Sequence, residues 1–366
     1  MNVRTVPDRL GAARRASSFD AMSDPSAPAA PDIEAFIRDL PKVELHVHLE
    51  GSMQPETLLE LAAEHRVAEI PDTLAGIRDW YAFRDFPHFI DVYLTSVRTL
   101  CDEEDFARLA GDVAARLAAQ NVRYAELHVS LYGHLMRGVP ATVVFAGIEH
   151  ARIAAEREHG IRLRWIPDFP GDYGVESGEE TLDAVLRHGP DSVVGFGVGG
   201  IEVDRTPFAG LFARARAEGL HSLPHAGENG GPERVWEALD LLRAERIGHG
   251  IDAMRDPRLV DRLAEARVPV DVSPTSNLRT GGVADIGDHP LPRMLDAGLL
   301  VTLNSDDPPM FGTDLTNEYR TAHGLGLDAA ALAGLARNGV AASYLDGAER
   351  RRLTEEIDAV LAAHTG

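Results

Sequence analysis

The chain has 366 residues, 44% of them hydrophobic, and carries 58 acidic against 36 basic side chains, for a net charge of −22. This charge repels phosphate backbones and anionic lipids, so we expect neither a nucleic-acid nor a membrane partner. Cys101 is the only cysteine, which excludes an intrachain disulfide and suits a reducing, cytoplasmic location. Lys42 is the only lysine and lies outside any G-x-x-x-x-G-K motif, which argues against Schiff-base and P-loop chemistry.

The first 31 residues differ in composition from the rest of the chain. They are rich in Ala, Ser, Pro and Arg and contain no long apolar segment. A mitochondrial presequence would share the Arg and Ser content, but Asp8, Asp20 and Asp24 weigh against it. We therefore expect a disordered leader over 1–31 and, because no linker or internal repeat follows, one barrel domain over 32–366.

Eight short apolar runs follow the leader, separated by longer segments with apolar residues at helical spacing. Such alternation predicts a parallel sheet, and eight units favour a closed (β/α)8 barrel of the TIM type over an open doubly wound sheet. The first connection, residues 50–121, is too long for one helix and predicts an additional helical lid. The runs cover residues 43–49, 122–130, 163–169, 193–199, 221–227, 246–250, 268–274 and 299–307.

The first connection contains the aromatic segment "WYAFRDFPHFIDVY" at residues 80–93. Phe86, Phe89, Ile90 and Tyr93 fall at i, i+3, i+4 and i+7, which places them on one helix face. This face packs on the barrel in one interpretation and roofs a planar apolar ligand in another. The two interpretations are compatible.

Polar residues stand at the ends of several predicted strands, where barrels of this type carry their chemistry. His46 and His48 in "KVELHVHLEG" share one face of the first strand, because side chains alternate along a strand. Together with His225 and Asp306 they form a donor set typical of a catalytic zinc site with one position left for water. We therefore predict one zinc ion per chain.

Two further side chains suit acid–base chemistry beside that metal. Glu228 follows His225 by three residues and is placed to handle protons, although the segment "GENGGPE" also suits a helix cap. His249 is placed to orient or deprotonate a water molecule whose pKa the metal lowers. Asp307, next to the ligand Asp306, is expected to face the substrate.

Two other metallohydrolase designs lack their residues here. Binuclear barrel enzymes commonly bridge two metals with a modified lysine on the fourth strand, and the segment "VVGFGVGG" has none. The zinc deaminases with an H-x-E…P-C-x-x-C signature need two cysteines. A single metal is therefore favoured.

These motifs, in this order, resemble those of the adenosine deaminase family of the amidohydrolase superfamily. The resemblance implies that Glu228 protonates purine N1 and that His249 positions the attacking water. It also implies that Asp307 contacts N7, that the backbone N–H of Gly200 contacts N3, and that the substrates are a small aminopurine and water. The matching segments are "KVELHVHLEGSMQPETL" (42–58), "HAGE" (225–228), "RIGHG" (246–250), "SPTSN" (273–277) and "LNSDDPPMF" (303–311).

One departure from the family pattern concerns the substrate. The family typically has aspartate after H-x-H-L, near the ribose 5′-hydroxyl, whereas this chain has Glu50 and so resembles the adenine deaminase and aminodeoxyfutalosine deaminase branches. We expect His48, Glu50, Phe86 and Phe89 to bind the substrate and favour a 5′-modified aminopurine nucleoside. The alternatives are a deaminase of free adenine, a metal-dependent hydrolase of another amide or ester bond, and a non-catalytic nucleoside-binding relative.

Overall fold

The computed structural model of the chain describes residues 32–366, so the predicted leader over 1–31 lies outside the described residues. Nine strands are described, separated by helices except between the fifth and sixth, and every strand pairing is parallel. The strands are β1 (Lys42–His48), β2 (Val122–Val129), β3 (Arg162–Pro170), β4 (Gly195–Gly199), β5 (His221–Ser222), β6 (His225–Ala226), β7 (Ile247–His249), β8 (Val270–Val272) and β9 (Val301–Leu303).

These strands close into the predicted (β/α)8 barrel. β1 to β5 pair in chain order, as do β6 to β9, and β5 and β6 are two parts of the fifth barrel strand, interrupted at Leu223 and Pro224. The barrel closes between its last and first strands, where His48 N donates to Asp306 O at 2.8 Å and Asp306 N donates to His46 O at 3.1 Å. All eight predicted strand positions are confirmed.

The helices surround the barrel, and the first connection contains four of them, which confirms the additional helical lid. They are α1 (Ile33–Asp39), α2 (Pro55–His65), α3 (Leu74–Tyr81), α4 (Phe86–Val97), α5 (Glu103–Ala119), α6 (Leu131–Leu135), α7 (Ala141–His159), α8 (Val175–His188), α9 (Ala209–Ala217), α10 (Pro232–Asp240), α11 (Pro257–Ala266), α12 (Pro274–Arg279), α13 (Leu291–Asp296), α14 (Pro308–Phe311), α15 (Leu315–Gly324), α16 (Ala329–Ala342) and α17 (Gly347–Thr365). Within residues 32–366, no helix is both long and apolar enough to cross a bilayer.

Helix α4 begins where the sequence supplies a start signal. The side chain of Asp85 accepts a hydrogen bond from the backbone N–H of His88, and Pro87 occupies the first turn, where its missing N–H costs nothing. Phe89 on this helix packs against Phe83 and Phe311, with ring centroids 5.1 and 5.0 Å apart. These contacts hold the lid against the segment that follows β9.

Lys42 has a structural place at the amino end of β1. Its Nζ donates to the carbonyl oxygens of Ile37, Leu40 and Gln120 at 2.5, 3.0 and 3.1 Å. Two of these carbonyls belong to the end of α1, whose last carbonyls lack helical partners and favour a cation. The only lysine therefore joins α1 to the end of α5 and lies away from the carboxyl ends of the strands.

Candidate active site

Four predicted metal ligands from three parts of the barrel meet at the carboxyl ends of the strands. His48 Nε2 lies 3.1 Å from His225 Nε2 and 3.3 Å from Asp306 Oδ1. His46 Nε2 lies 3.5 Å from the same Asp306 oxygen. The three histidines each offer a ring nitrogen, and these three atoms lie within 4.8 Å of one another. The structure thus brings His46, His48, His225 and Asp306 together.

Within this cluster one hydrogen bond orients His225, and His46 is left without a partner. His225 Nδ1 donates to the carbonyl of Val198 at 3.1 Å, which directs the lone pair of its Nε2 into the cluster. Both ring nitrogens of the buried His46 have no hydrogen-bond partner among the described residues. A bound cation relieves that cost. Imidazole nitrogen and carboxylate oxygen together fit a divalent metal ion of the borderline class.

The electrostatics of the cluster also favour a cation. Burial opposes protonation of His48, but the carboxyl groups of Asp307 and Asp306 outweigh it and raise the pKa of this imidazole to about 10. Burial holds the pKa of His46 and that of His225 well below the ordinary histidine value. Those two rings are therefore neutral at pH 7, the state in which histidine binds a metal.

At this end of the barrel two residues other than glycine have positive φ angles, and two glycines lie too close to neighbouring side chains to carry a Cβ. His249 and Asp306 have φ angles of 62° and 65°, a left-handed region that non-glycine residues rarely occupy and that is enriched at functional sites. A Cβ on Gly51 would lie 1.5 Å from Asp307 Oδ1, and one on Gly248 would lie 2.6 Å from His46 Cε1. Only glycine therefore leaves room for these two side chains.

A hydrogen-bonded chain fixes which nitrogen of His249 carries its proton. The N–H of Leu291 donates to His289 Nδ1 at 3.2 Å, and burial lowers the pKa of His289 to about 4, so this neutral ring carries its proton on Nε2. His289 Nε2 lies 3.2 Å from Asn277 Oδ1, and Asn277 Nδ2 lies 3.2 Å from His249 Nδ1. His249 Nδ1 thus accepts, and Nε2–H points into the site.

Glu228 lies beside that N–H group. Its Oε2 is 3.8 Å from His249 Nε2, a distance beyond a direct hydrogen bond that leaves both groups free for a ligand. Burial raises the pKa of Glu228, although His249 opposes the shift. Helix α10 begins at Pro232 after Gly231, so Glu228 does not cap it and the capping interpretation is wrong.

A deep cleft opens above this cluster and extends to the surface. It encloses about 870 Å³, including the part open to solvent, which is within the range of small-molecule sites. The predicted substrate-binding residues Gly200, Asp307, Phe86 and Phe89 all line it, together with His48. Its other lining residues include Ile90, Tyr93, Leu94, Ser130, Asp168, Asp172, Tyr173 and Ile201.

The aromatic face of α4 packs on neighbouring side chains and also lines the cleft, whereas its contact with a planar ligand stays a prediction. Phe89 is only 6% exposed and packs on Phe83 and Phe311, as barrel packing requires. The same residue lines the cleft together with the half-buried Phe86 and Ile90. The lid therefore forms part of the apolar roof of the cleft.

Glu50 is placed differently from the other predicted substrate-binding residues. It is fully buried and is not among the residues that line the cleft. Its carboxylate faces His134 on one side and Tyr93 with Ser130 on the other. Direct contact between Glu50 and a substrate remains a prediction.

The model of the adenosine deaminase family matches residues 41–360, which is most of the chain. The chain belongs to the adenosine deaminase family.

Several known proteins resemble this chain in sequence or in fold. An aminodeoxyfutalosine deaminase of Streptomyces coelicolor is 48% identical over 98% of this chain and 94% of its own length. Among solved structures, an adenine deaminase of Arthrobacter aurescens has a TM-score of 0.84 at 34% identity, covering 88% of this chain and 99% of that one. A zinc-bound amidohydrolase of Burkholderia ambifaria has a TM-score of 0.82 at 29% identity, covering 90% and 94%.

This adenosine deaminase family member is accordingly a hydrolase of the deaminase class with a TIM-barrel fold. The family, together with the histidine and aspartate cluster, indicates a bound metal.

Several polar residues of the site were not singled out from the sequence of this deaminase. His128, at the end of β2, is buried with its ring centroid 4.8 Å from that of His46, and its Nδ1 lies 3.1 Å from Asp168 Oδ2 on β3. The rule that found the other strand-end histidines would have found both residues. Asn277 and His289 carried no comparable signal, because the contacts that join them to His249 are tertiary.

Proposed function

We propose that this protein is a zinc-dependent deaminase that hydrolyses a 6-aminopurine nucleoside to the 6-oxopurine and ammonia. The observation that carries the proposal is the convergence of Glu228, His249 and Asp307 on the cleft directly beside the three-histidine, one-aspartate donor set. An acid, an oriented hydrogen-bond donor and a second carboxyl group around one cation site are the groups that deamination of an aromatic amidine needs.

His46, His48, His225 and Asp306 would hold one zinc ion. When bound, zinc supplies the Lewis acidity that makes water nucleophilic near neutral pH. Ser276 Oγ donates to Asp306 Oδ2 at 2.6 Å and so orients this ligand.

Glu228 would act as the general acid. Burial raises its pKa, which favours the protonated carboxyl that can donate to ring N1. Protonation of N1 withdraws electrons from C6 and makes that carbon electrophilic. His249 would orient the attacking oxygen by donating from Nε2–H, because its hydrogen-bonded chain leaves that nitrogen without a lone pair to take a proton.

Two other groups would fix the purine ring. Burial and the neighbouring Asp306 raise the pKa of Asp307 well above the ordinary value, which favours the protonated carboxyl that can donate to N7. The backbone N–H of Gly200, at the end of β4, would donate to N3. The purine would lie under the roof formed by Phe86 and Phe89.

A 5′-modified nucleoside such as aminodeoxyfutalosine is the substrate that we favour. The cleft continues outward past the cluster to the exposed apolar side chains of Leu94, Tyr173 and Ile201, which suit an uncharged or aromatic extension. Within residues 32–366, five carboxyl groups but no arginine or lysine line the cleft, which disfavours a 5′-phosphate. The aminodeoxyfutalosine deaminase at 48% identity supports the same choice.

Free adenine is the second candidate, because a solved adenine deaminase has the same fold at 34% identity. Ammonia release and the ultraviolet shift on deamination decide between the candidates when adenine, adenosine, 5′-deoxyadenosine, methylthioadenosine and aminodeoxyfutalosine are compared on one preparation. We expect the highest kcat/KM with a 5′-modified nucleoside. A much lower kcat/KM for all 5′-modified nucleosides than for adenosine would contradict this choice, and a maximum with adenine would establish the second candidate.

A further inference from the structure

Glu50 is held by hydrogen bonds that use both of its oxygens as acceptors. His134 Nε2 lies 2.8 Å from Oε1, while Ser130 N and Tyr93 Oη lie 3.3 and 3.4 Å from Oε2. Neither Glu50 nor His134 has solvent exposure. A carboxylate in this place serves the interior of the protein, because its neighbours already occupy both oxygens.

The proton on His134 is fixed by a third residue. Arg137 Nη2 lies 2.9 Å from His134 Nδ1, and an arginine only donates, so the ring proton is on Nε2 and is donated to Glu50. The same Arg137 nitrogen donates to the carbonyl of Leu100 at 2.8 Å, and its Nε donates to that of Gly133 at 3.1 Å. Glu50 is therefore anchored through His134 to the main chain around α6.

The opposite side of Glu50 is joined to two hydroxyl groups that line the cleft. Tyr93, on the lid helix α4, donates to Glu50, and its hydroxyl lies 2.9 Å from Ser130 Oγ at the end of β2. With Tyr93 donating inward, its oxygen and that of Ser130 keep lone pairs for a ligand. Asp168, which also lines the cleft, adds a third acceptor next to Ser130.

This wall of acceptors is complementary to the hydroxyl donors of a sugar. A free purine base has no hydroxyl group to donate to it, and the phosphate of a nucleotide would meet only acceptors and negative charge. The wall belongs to strands β2 and β3 and to the lid, whereas Glu228 lies across the barrel after β6.

We infer that Glu50 is a positioning residue that does not touch the substrate. Paired with His134, it holds the hydroxyls of Tyr93 and Ser130 where they accept hydrogen bonds from the sugar of a nucleoside, and these two hydroxyls favour a nucleoside over the free base. The inference rests on the proposed aminopurine deamination and assigns the sugar side of that same site.

The test compares adenosine with adenine in Glu50→Gln, Tyr93→Phe, Ser130→Ala and the double variant Glu50→Gln/Tyr93→Phe. An amide has one acceptor oxygen and cannot accept from both His134 and the Tyr93–Ser130 pair. We expect each variant to raise KM for adenosine about tenfold while kcat changes less than about threefold. Adenine, measured as a substrate or as a competitive inhibitor, should be affected less than about twofold.

Tyr81→Phe is the matched control. Tyr81 is a buried lid tyrosine whose hydroxyl donates to the carbonyl of Met53 at 2.9 Å and which does not line the cleft. Loss of this hydroxyl should leave the ratio of KM for adenosine to that for adenine unchanged. Because Glu50 acts through Tyr93, the effects of the two changes should not add. The double variant should raise KM for adenosine at most about twofold more than the stronger single variant does.

Three results would overturn the inference. An equal effect of Glu50→Gln on adenosine and adenine would make the residue merely structural, and an unchanged KM for adenosine would deny it a role. Fully additive losses in the double variant would indicate direct contact with the substrate. Tyr93→Phe and Ser130→Ala remove no buried charge, so we expect both to fold. If Glu50→Gln does not fold, an equal effect of these two variants on adenosine and adenine still overturns the inference. Failure of the proposed function shows separately, as wild-type protein that deaminates no aminopurine.

Discussion

The barrel contains two buried polar clusters with opposite hydrogen-bonding states. Nearer the amino ends of the strands, Arg246 donates to Glu126 at 2.5 Å and to Asp271 at 2.6 Å. Tyr124 and Thr302 donate to the remaining oxygens of these two carboxylates at 2.7 and 2.6 Å. At the carboxyl ends, His46 has two ring nitrogens without partners, and Asp307 Oδ1 is likewise unpaired among the described residues.

The difference separates a structural cluster from a functional one. In the lower cluster, nearer the amino ends of the strands, one guanidinium pairs with two carboxylates whose oxygens all accept hydrogen bonds. The two carboxylates raise the pKa of Arg246 further even though burial opposes this. In the upper cluster, at the carboxyl ends of the strands, Glu228, Asp306 and Asp307 lie among the histidines. There the pKa of Asp306 is lowered while that of Asp307 is raised. Buried polar atoms without partners prepare the upper cluster for a ligand, whereas the carboxylate oxygens of the lower cluster already have partners within the fold.

The largest effect should follow from changing a proposed metal ligand of the upper cluster. Asp306→Asn keeps the side-chain shape, and asparagine tolerates the positive φ, yet the variant loses an anionic ligand. We expect bound zinc to fall from about one equivalent per chain to nearly none, and turnover to disappear with it. Elemental analysis gives the metal content, and circular dichroism gives the fold. Full zinc content in the variant would contradict the ligand assignment.

Glu228→Gln should spare the metal and remove the acid. Because an amide cannot deliver a proton to N1, we expect kcat to fall by about 10³-fold or more with zinc content unchanged. Steady-state kinetics and elemental analysis on the same preparation make the measurement. Similar rates in the variant and wild type would remove Glu228 from the chemistry.

Arg246→Met should break the lower cluster and leave the upper one intact. The change strands two buried carboxylates, so we expect the free energy of unfolding to fall by about 3–5 kcal/mol. Denaturant unfolding measures this change, with Arg255→Met as the control, since Arg255 is 70% exposed and its pair with Asp252 contributes about 1 kcal/mol or less. An unchanged stability in Arg246→Met would end the distinction between the two clusters.

The smallest effect concerns a buried acid outside both clusters. Burial raises the pKa of Glu318 to about 7, against hydrogen bonds from Thr275 and Thr313. A raised pKa means that the neutral acid stabilises the fold below about pH 4.5 and that this contribution is lost as the pH rises through 7. Glu318→Gln should therefore gain stability relative to wild type between pH 5 and pH 8. Thermal unfolding of the variant and of wild type across that range measures this gain in stability, and Glu60→Gln, at an exposed position, is the control.

Much of the fold and of the metal site was predictable because both depend on short-range patterns. The eight strand positions follow from apolar runs, and the pairing of His46 with His48 follows from the alternation of one strand. Prediction was weaker for Glu228, whose loop composition suited a helix cap until the start of α10 at Pro232 was known. It was weakest for Glu50, because a sequence does not tell whether a carboxylate faces a ligand or an internal partner.

The sequence by itself determined the barrel, the family motifs and the set of donors, since each is encoded in local spacing and residue type. The tertiary structure decided which groups those donors meet. The hydrogen bond between Asn277 and His249 and the pairing of Glu50 with His134 join residues that are 28 and 84 positions apart in the sequence. Such contacts depend on how strands and lid pack around one cleft, and packing of that kind leaves no periodic signal in the chain.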